Sequence, residues 1–252
     1  MSLSLQRKIT AALLILYWPA FFFAAHTPVP EVVREAGVSD KGLHLLAYLI
    51  LTFLLWFTVS DGGKVNWRRA APWCVLLVTI AYAIFDEWSQ TFVAGRSCDA
   101  HDFLADLIGT CAGLGAFSFL SFWPASLLVT TVVIFVSANV ARANLADLLP
   151  AANAIFHLAA YAVFTAIWLR CVRLLMPAID ASQNRAKRLL TAFAAPAALL
   201  LTTKILSAIL GREWSAVDIV LSMGAAAAVV AASRLFNTSG KIRERDKDDR
   251  IG

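Results

Sequence analysis

Eight apolar runs leave this chain few folds to adopt. They lie at about 9–25, 43–60, 71–92, 102–122, 125–141, 154–175, 188–210 and 215–236. Each is close to the ~20 residues that a helix needs to cross a bilayer. The runs are continuous, not alternating, so helices and not barrel strands must satisfy the backbone in lipid. Only 15% of the 252 residues are charged and 60% are hydrophobic. Soluble domains carry about 25% charged residues, so a water-soluble fold is excluded. The expectation is an all-α, polytopic membrane protein of about eight transmembrane helices. The first run starts with Arg7 and Lys8 and ends near Ala24 and Ala25, as a cleaved signal would. It is read as a retained span, because the repeat described below uses it.

A net charge of +5 and a pI near 9.2 do not imply nucleic acid here. The basic residues sit in short loops between apolar runs, and there they set orientation. One side collects sixteen Lys and Arg, among them Arg7, Lys8, Lys64, Arg68, Arg69, Arg170, Arg173 and those of the tail. The other side has five: Arg34, Lys41, Arg96, Arg142 and Arg212. The bias predicts both termini in the cytoplasm of a cell with an inner membrane. Cys74, Cys98, Cys111 and Cys171 show no CxxC spacing, so they suggest neither a disulfide framework nor a thiolate metal site.

Two patterns recur in order. His44-Leu-Leu-Ala-Tyr48 with Thr52 returns 113 residues later as His157-Leu-Ala-Ala-Tyr161 with Thr165. Gly95-Arg96 with Asp102 returns 116 residues later as Gly211-Arg212 with Asp218. Their order predicts a tandem 4+4 repeat of parallel orientation. The units expected are 1–124 with the polar site, 125–237 as a degenerate copy, and a charged cytoplasmic tail at 238–252. The copy has Asn153 for Asp40, Thr202 and Thr203 for Asp86 and Glu87, Ser215 for Asp99, and Ser222 for Asp106. Function is therefore expected in the first half. His157 and Tyr161, with no acid nearby in sequence, read as a structural relic. Lys204 reads as paired within its span, and His26 and His101 read as loop residues.

Three segments supply the polar residues of the first half. Asp40, His44 and Tyr48 follow one another at four-residue steps on one helix face, with Lys41 beside them. Asp86 and Gln90 share a face near the outer end of the third run, with Glu87 about 100° round. Arg96, Asp99, Asp102, Asp106, Gly109 and Gly113 then form a stripe of acids at one end and glycines deeper in. The glycines permit close helix contact, which turns the acids toward the bundle. An ionised group at mid-membrane costs about 2.5–3.5 kcal/mol on insertion scales, so such acids need partners. Lys41, His44, Arg96 or a bound cation are the candidates.

These motifs resemble the VanZ-like membrane family: Asp40-Lys41-x-x-His44-x-x-x-Tyr48, Asp86-Glu87-x-x-Gln90-x-Phe92, Gly95-Arg96-x-x-Asp99-x-x-Asp102, and Gly109 with Gly113. The resemblance covers about residues 10–120. This chain has Asp106 where the family usually has Asn, which adds one acid. The family implies a role in the bacterial cell envelope and a link to glycopeptide (teicoplanin) resistance. The residues themselves suggest a site on the outer face for an envelope substrate, with a lipid-linked compound as one candidate. Asp40, His44, Asp86, Glu87 and Asp102 are the candidate catalytic groups. Lys41, Tyr48, Gln90, Arg96, Asp99 and Asp106 are the candidate substrate-binding groups. A divalent metal is compatible with this set. A non-catalytic scaffold for envelope machinery and a small transporter or flippase are the alternatives.

Overall fold

The computed structural model describes residues 4–28, 40–139, 149–211 and 215–248. Arg34, Arg142 and Arg212, which enter the charge count above, lie outside them. The described residues form helices and no strands: α1 (Leu5–Ala25), α2 (Asp40–Val59), α3 (Ala70–Gln90), α4 (Ala100–Phe117), α5 (Phe122–Asn139), α6 (Pro150–Leu175), α7 (Pro177–Asp180), α8 (Arg185–Ile209) and α9 (Ala216–Asp248). This is a polytopic helical membrane fold.

Six of the helices among the described residues are long and apolar enough to cross a membrane: α1, α2, α3, α6, α8 and the Ala216–Leu235 part of α9. The sequence reading expects eight. The other two are α5, a shorter apolar helix, and α4. The 18 residues of α4 span about 27 Å at 1.5 Å per residue, but His101, Asp102 and Asp106 lower its hydropathy. Large apolar side chains point outward along the spanning helices, as lipid requires. Ile15 is 72% exposed and Leu77 64%. Trp73 and Trp88, both exposed, mark the two ends of α3 about 22 Å apart, where amphipathic rings favour the membrane interfaces.

The chain divides into two compact units, Met1–Asn144 and Leu145–Gly252. The sequence reading divides it after residue 124. The difference is α5, whose Phe122, Ala125 and Val129 pack into the core of the first unit. In that unit α2 is the central helix and packs against α1, α3, α4 and α5. Its far end builds an aromatic core in which Phe53, Phe57, Phe117 and Phe122 lie with ring centroids 5.0–5.9 Å apart. Its near end carries Asp40, Lys41 and His44. In the second unit α6, α8 and α9 pack on one another.

The α2–α4 contact depends on glycine. A Cβ added at Gly109 would run into the Leu45 carbonyl oxygen, with the carbonyl carbon at 3.2 Å and Cα at 3.3 Å. At Gly113 it would meet Thr52 Cγ2 at 3.2 Å and Leu49 Cδ1 at 3.3 Å. The glycine stripe is thus the surface on which α4 lies against α2, and the acids above it are carried into the bundle.

Candidate functional site

The polar residues assemble in two layers where α2, α3 and α4 meet. The outer layer is paired. Lys41 Nζ donates to Asp99 Oδ2 at 3.2 Å and to Asp102 Oδ1 at 3.3 Å. Arg96 lies 3.5 Å from Asp40 Oδ1. Asp99 caps α4, accepting the His101 backbone N–H at 2.9 Å, and the His101 ring approaches the same oxygen at 2.9 Å. Those two contacts, with the Lys41 ammonium, hold the Asp99 carboxyl well below the usual carboxylate range. His101 thus belongs to the first turn of α4 and not to a loop.

The inner layer is buried. His44, Asp86, Glu87, Gln90 and Asp106 are each 5% exposed or less. His44 Nδ1 is 3.0 Å from Asp106 Oδ1 and 4.0 Å from Glu87 Oε1. Gln90 Nε2 donates to Asp86 Oδ2 at 3.2 Å, as their shared face predicts. The Asp99 backbone N–H donates to Glu87 Oε2 at 2.9 Å and ties the Gly95–His101 turn to α3. Gly95 has φ +79°, a left-handed conformation that only glycine adopts without strain, and this lets the turn reverse toward α4.

All three inner carboxylates keep one oxygen without a hydrogen bond: Asp86 Oδ1, Glu87 Oε1 and Asp106 Oδ2. No Lys or Arg forms an ion pair with these acids among the described residues. A buried carboxylate oxygen with no partner is expensive, because it has lost its water and gained nothing. His44, Asp86, Glu87 and Asp106 each offer one ligand atom within 4.8 Å of the others, and Asp40, His44 and Asp102 form a second, more exposed group of this kind. Chemically, the inner layer can hold a cation or share protons between the imidazole and the carboxyls.

Tyr48 is fully buried. Its ring sits against Phe21 at 5.6 Å and Tyr82 at 6.0 Å, and both tyrosine hydroxyls lack partners. A cavity of about 260 Å³ opens between α1 and α2. Tyr17, Phe21, Leu46 and Ile50 give it apolar walls, and Asp40, His44 and Arg96 line it as well.

One contributor has no signal in the sequence pattern. His26, at the end of α1, places Nε2 2.6 Å from Ser89 Oγ and Nδ1 3.8 Å from Asp86 Oδ1. It stands alone between an apolar run and a loop, so no spacing links it to α3. Of the candidate partners, Lys41 takes both Asp99 and Asp102, and Arg96 turns to Asp40.

The second unit holds a related arrangement. His157 Nδ1 is 2.9 Å from Ser222 Oγ, at the positions matching His44 and Asp106. Asp218, which matches Asp102, accepts from Lys204 Nζ at 2.8 Å and from Asn153 Nδ2 at 2.7 Å, and lies 3.6 Å from His157 Nε2. So His157, which has no acid near it in sequence, has Asp218 beside it in space, and Lys204 is paired as expected. Gly211, matching Gly95, shares its left-handed φ at +72°.

The geometry so far follows the motif residues of the first unit. Residues 9–121 match the VanZ/LLP1 family model. The stretch spans α1 to α4, and so contains every residue of both layers. The VanZ-like segment is also similar to the uncharacterized protein C11E3.10 of Schizosaccharomyces pombe, at 26% identity over 113 residues. That alignment covers 44% of this chain and 63% of the yeast protein, so the chain spans less than two thirds of that relative. No solved structure matches the chain.

Proposed function

We propose that the VanZ-like segment binds an anionic, lipid-linked cell-envelope compound at the outer face of a bacterial inner membrane. The observation that carries this reading is the cavity between α1 and α2, which joins an apolar wall of Tyr17, Phe21, Leu46 and Ile50 to Asp40, His44 and Arg96. An acyl or prenyl chain suits the first part and an anionic head the second. Arg96 is fitted to such a head. Its side chain is 13% exposed, its only ion pair with a described acid is the 3.5 Å one to Asp40, and its Nε has no hydrogen-bond partner. A guanidinium with free donors recognises phosphate or carboxylate in two-pronged fashion. The charge bias of the loops supports cytoplasmic termini and an outward-facing site, and the matched His44 and His157 pairings support a duplicated fold. A role in glycopeptide tolerance follows from this placement as part of the same proposal.

The test is native mass spectrometry of the full-length chain in detergent, titrated with a polyprenyl phosphate and with the neutral polyprenol. The phosphate form is expected to bind, the alcohol to bind at least tenfold more weakly, and Arg96→Gln to lose the difference. Equal binding of the two lipids, or unchanged preference in Arg96→Gln, refutes it. Orientation is checked separately at Cys98, which is exposed in the Gly95–His101 turn. In a chain whose other cysteines are changed to serine, an impermeant maleimide should label Cys98 on intact cells.

A further inference from the structure

We infer that the inner layer is a site for one divalent cation held by His44, Asp86, Glu87 and Asp106. Acids in proximity do not by themselves make a site, but these have further features. Each is nine-tenths buried or more, and Asp86 Oδ1, Glu87 Oε1 and Asp106 Oδ2 have no hydrogen-bond partner. One ligand atom from each of the four residues lies within 4.8 Å of the other three. Ligands around a tetrahedral ion at about 2.0–2.2 Å lie about 3.3–3.6 Å apart, so pairs near the 4.8 Å limit must close by about 1 Å as the ion binds.

Charge leads to the same conclusion. Three carboxylates without a described Lys or Arg partner must bind protons or a cation to stay buried. The second unit has no such triad: the positions matching Asp86, Glu87 and Asp106 are Thr202, Thr203 and Ser222. Where three acids remain, no Lys or Arg pairs with them among the described residues, and only the His44 and His26 imidazoles lie beside them. One imidazole nitrogen with three carboxylate oxygens suits Mn²⁺ or Zn²⁺ better than an all-oxygen ion such as Ca²⁺.

This inference does not rest on the lipid reading, and its test uses no lipid substrate. The full-length chain, stripped with chelator, is loaded with Mn²⁺ or Zn²⁺, desalted, and analysed for metal. About one ion per chain is expected, Asp86→Asn and Glu87→Gln should each lose at least tenfold in affinity, and Asp61→Asn, outside the cluster, should lose none. X-ray absorption of the zinc-loaded wild type should show nitrogen and oxygen neighbours with one imidazole. That measurement decides the matter if the amide variants fail to fold. The inference is overturned if the folded wild type retains no metal, if sulfur is found in the coordination shell, or if both amide variants bind as the wild type does. Absence of metal with intact polyprenyl phosphate binding would sink this site and leave the lipid reading standing.

Discussion

Gly109→Ala adds a single methyl group at the closest approach in the first unit, where the obstacle is the Leu45 backbone and not a side chain that can swing aside. α2 and α4 must therefore separate, or α4 must shift along its axis. Overpacking of this kind costs about 1–3 kcal/mol. The same helix offers a control. A Cβ at Gly115 meets nothing within 4 Å. Glycine to alanine also raises intrinsic helix propensity by about 1 kcal/mol, and that gain is shared by both variants. Subtracting one from the other leaves the steric cost alone, so Gly109→Ala should be less stable than Gly115→Ala by about 1–3 kcal/mol. The assay is reversible unfolding of the purified chain in mixed micelles, followed by helical circular dichroism. Gly113→Ala should fall between the two, because Thr52 and Leu49 present side-chain ends that can yield. The site should suffer with the fold: His44 is next to Leu45, and Asp106 is three residues before Gly109, so their 3.0 Å contact should loosen. If Gly109→Ala proves as stable as Gly115→Ala, the close α2–α4 packing is wrong, and with it the mechanism that carries the acids inward.

Other perturbations probe separate parts of the molecule. Lys204→Met leaves Asp218 buried without its ammonium, and breaking a buried pair in this way costs about 3–5 kcal/mol. The double change Lys204→Met with Asp218→Asn should recover much of that loss in thermal unfolding; equal stability of the single and double variants contradicts the pairing. The Asp99 carboxyl is depressed in the folded chain, so its stabilising contribution is present above the ordinary carboxylate pKa and vanishes as pH falls through the lower folded value. Asp99→Asn should accordingly be less stable than the wild type at about pH 6, with the gap narrowing only in acid below the usual range near 4. A gap independent of pH assigns the effect to shape and not to charge.

Much of this protein follows from local properties of the chain. Hydropathy adds along each segment, so the apolar runs, the helical membrane fold and the glycine stripe are legible in the sequence alone. Helical spacing correctly places Asp86 with Gln90, and Asp40 with His44, because one helix carries both members of each pair. Charge is local too, and the stripe of acids in α4 announces where partners must be found. Which partners they find is decided elsewhere. Lys41 and not Arg96 serves Asp99 and Asp102, His26 reaches α3 from the end of α1, and Asp218 arrives beside His157 from a helix 61 residues further along the chain. α5 joins the first core instead of opening the second unit. These choices depend on distances of a few ångströms between helices, which no periodicity within one helix encodes. The unpartnered carboxylate oxygens are the plainest case: sequence shows the acids, but only packing determines that they are buried and that no Lys or Arg among the described residues pairs with them.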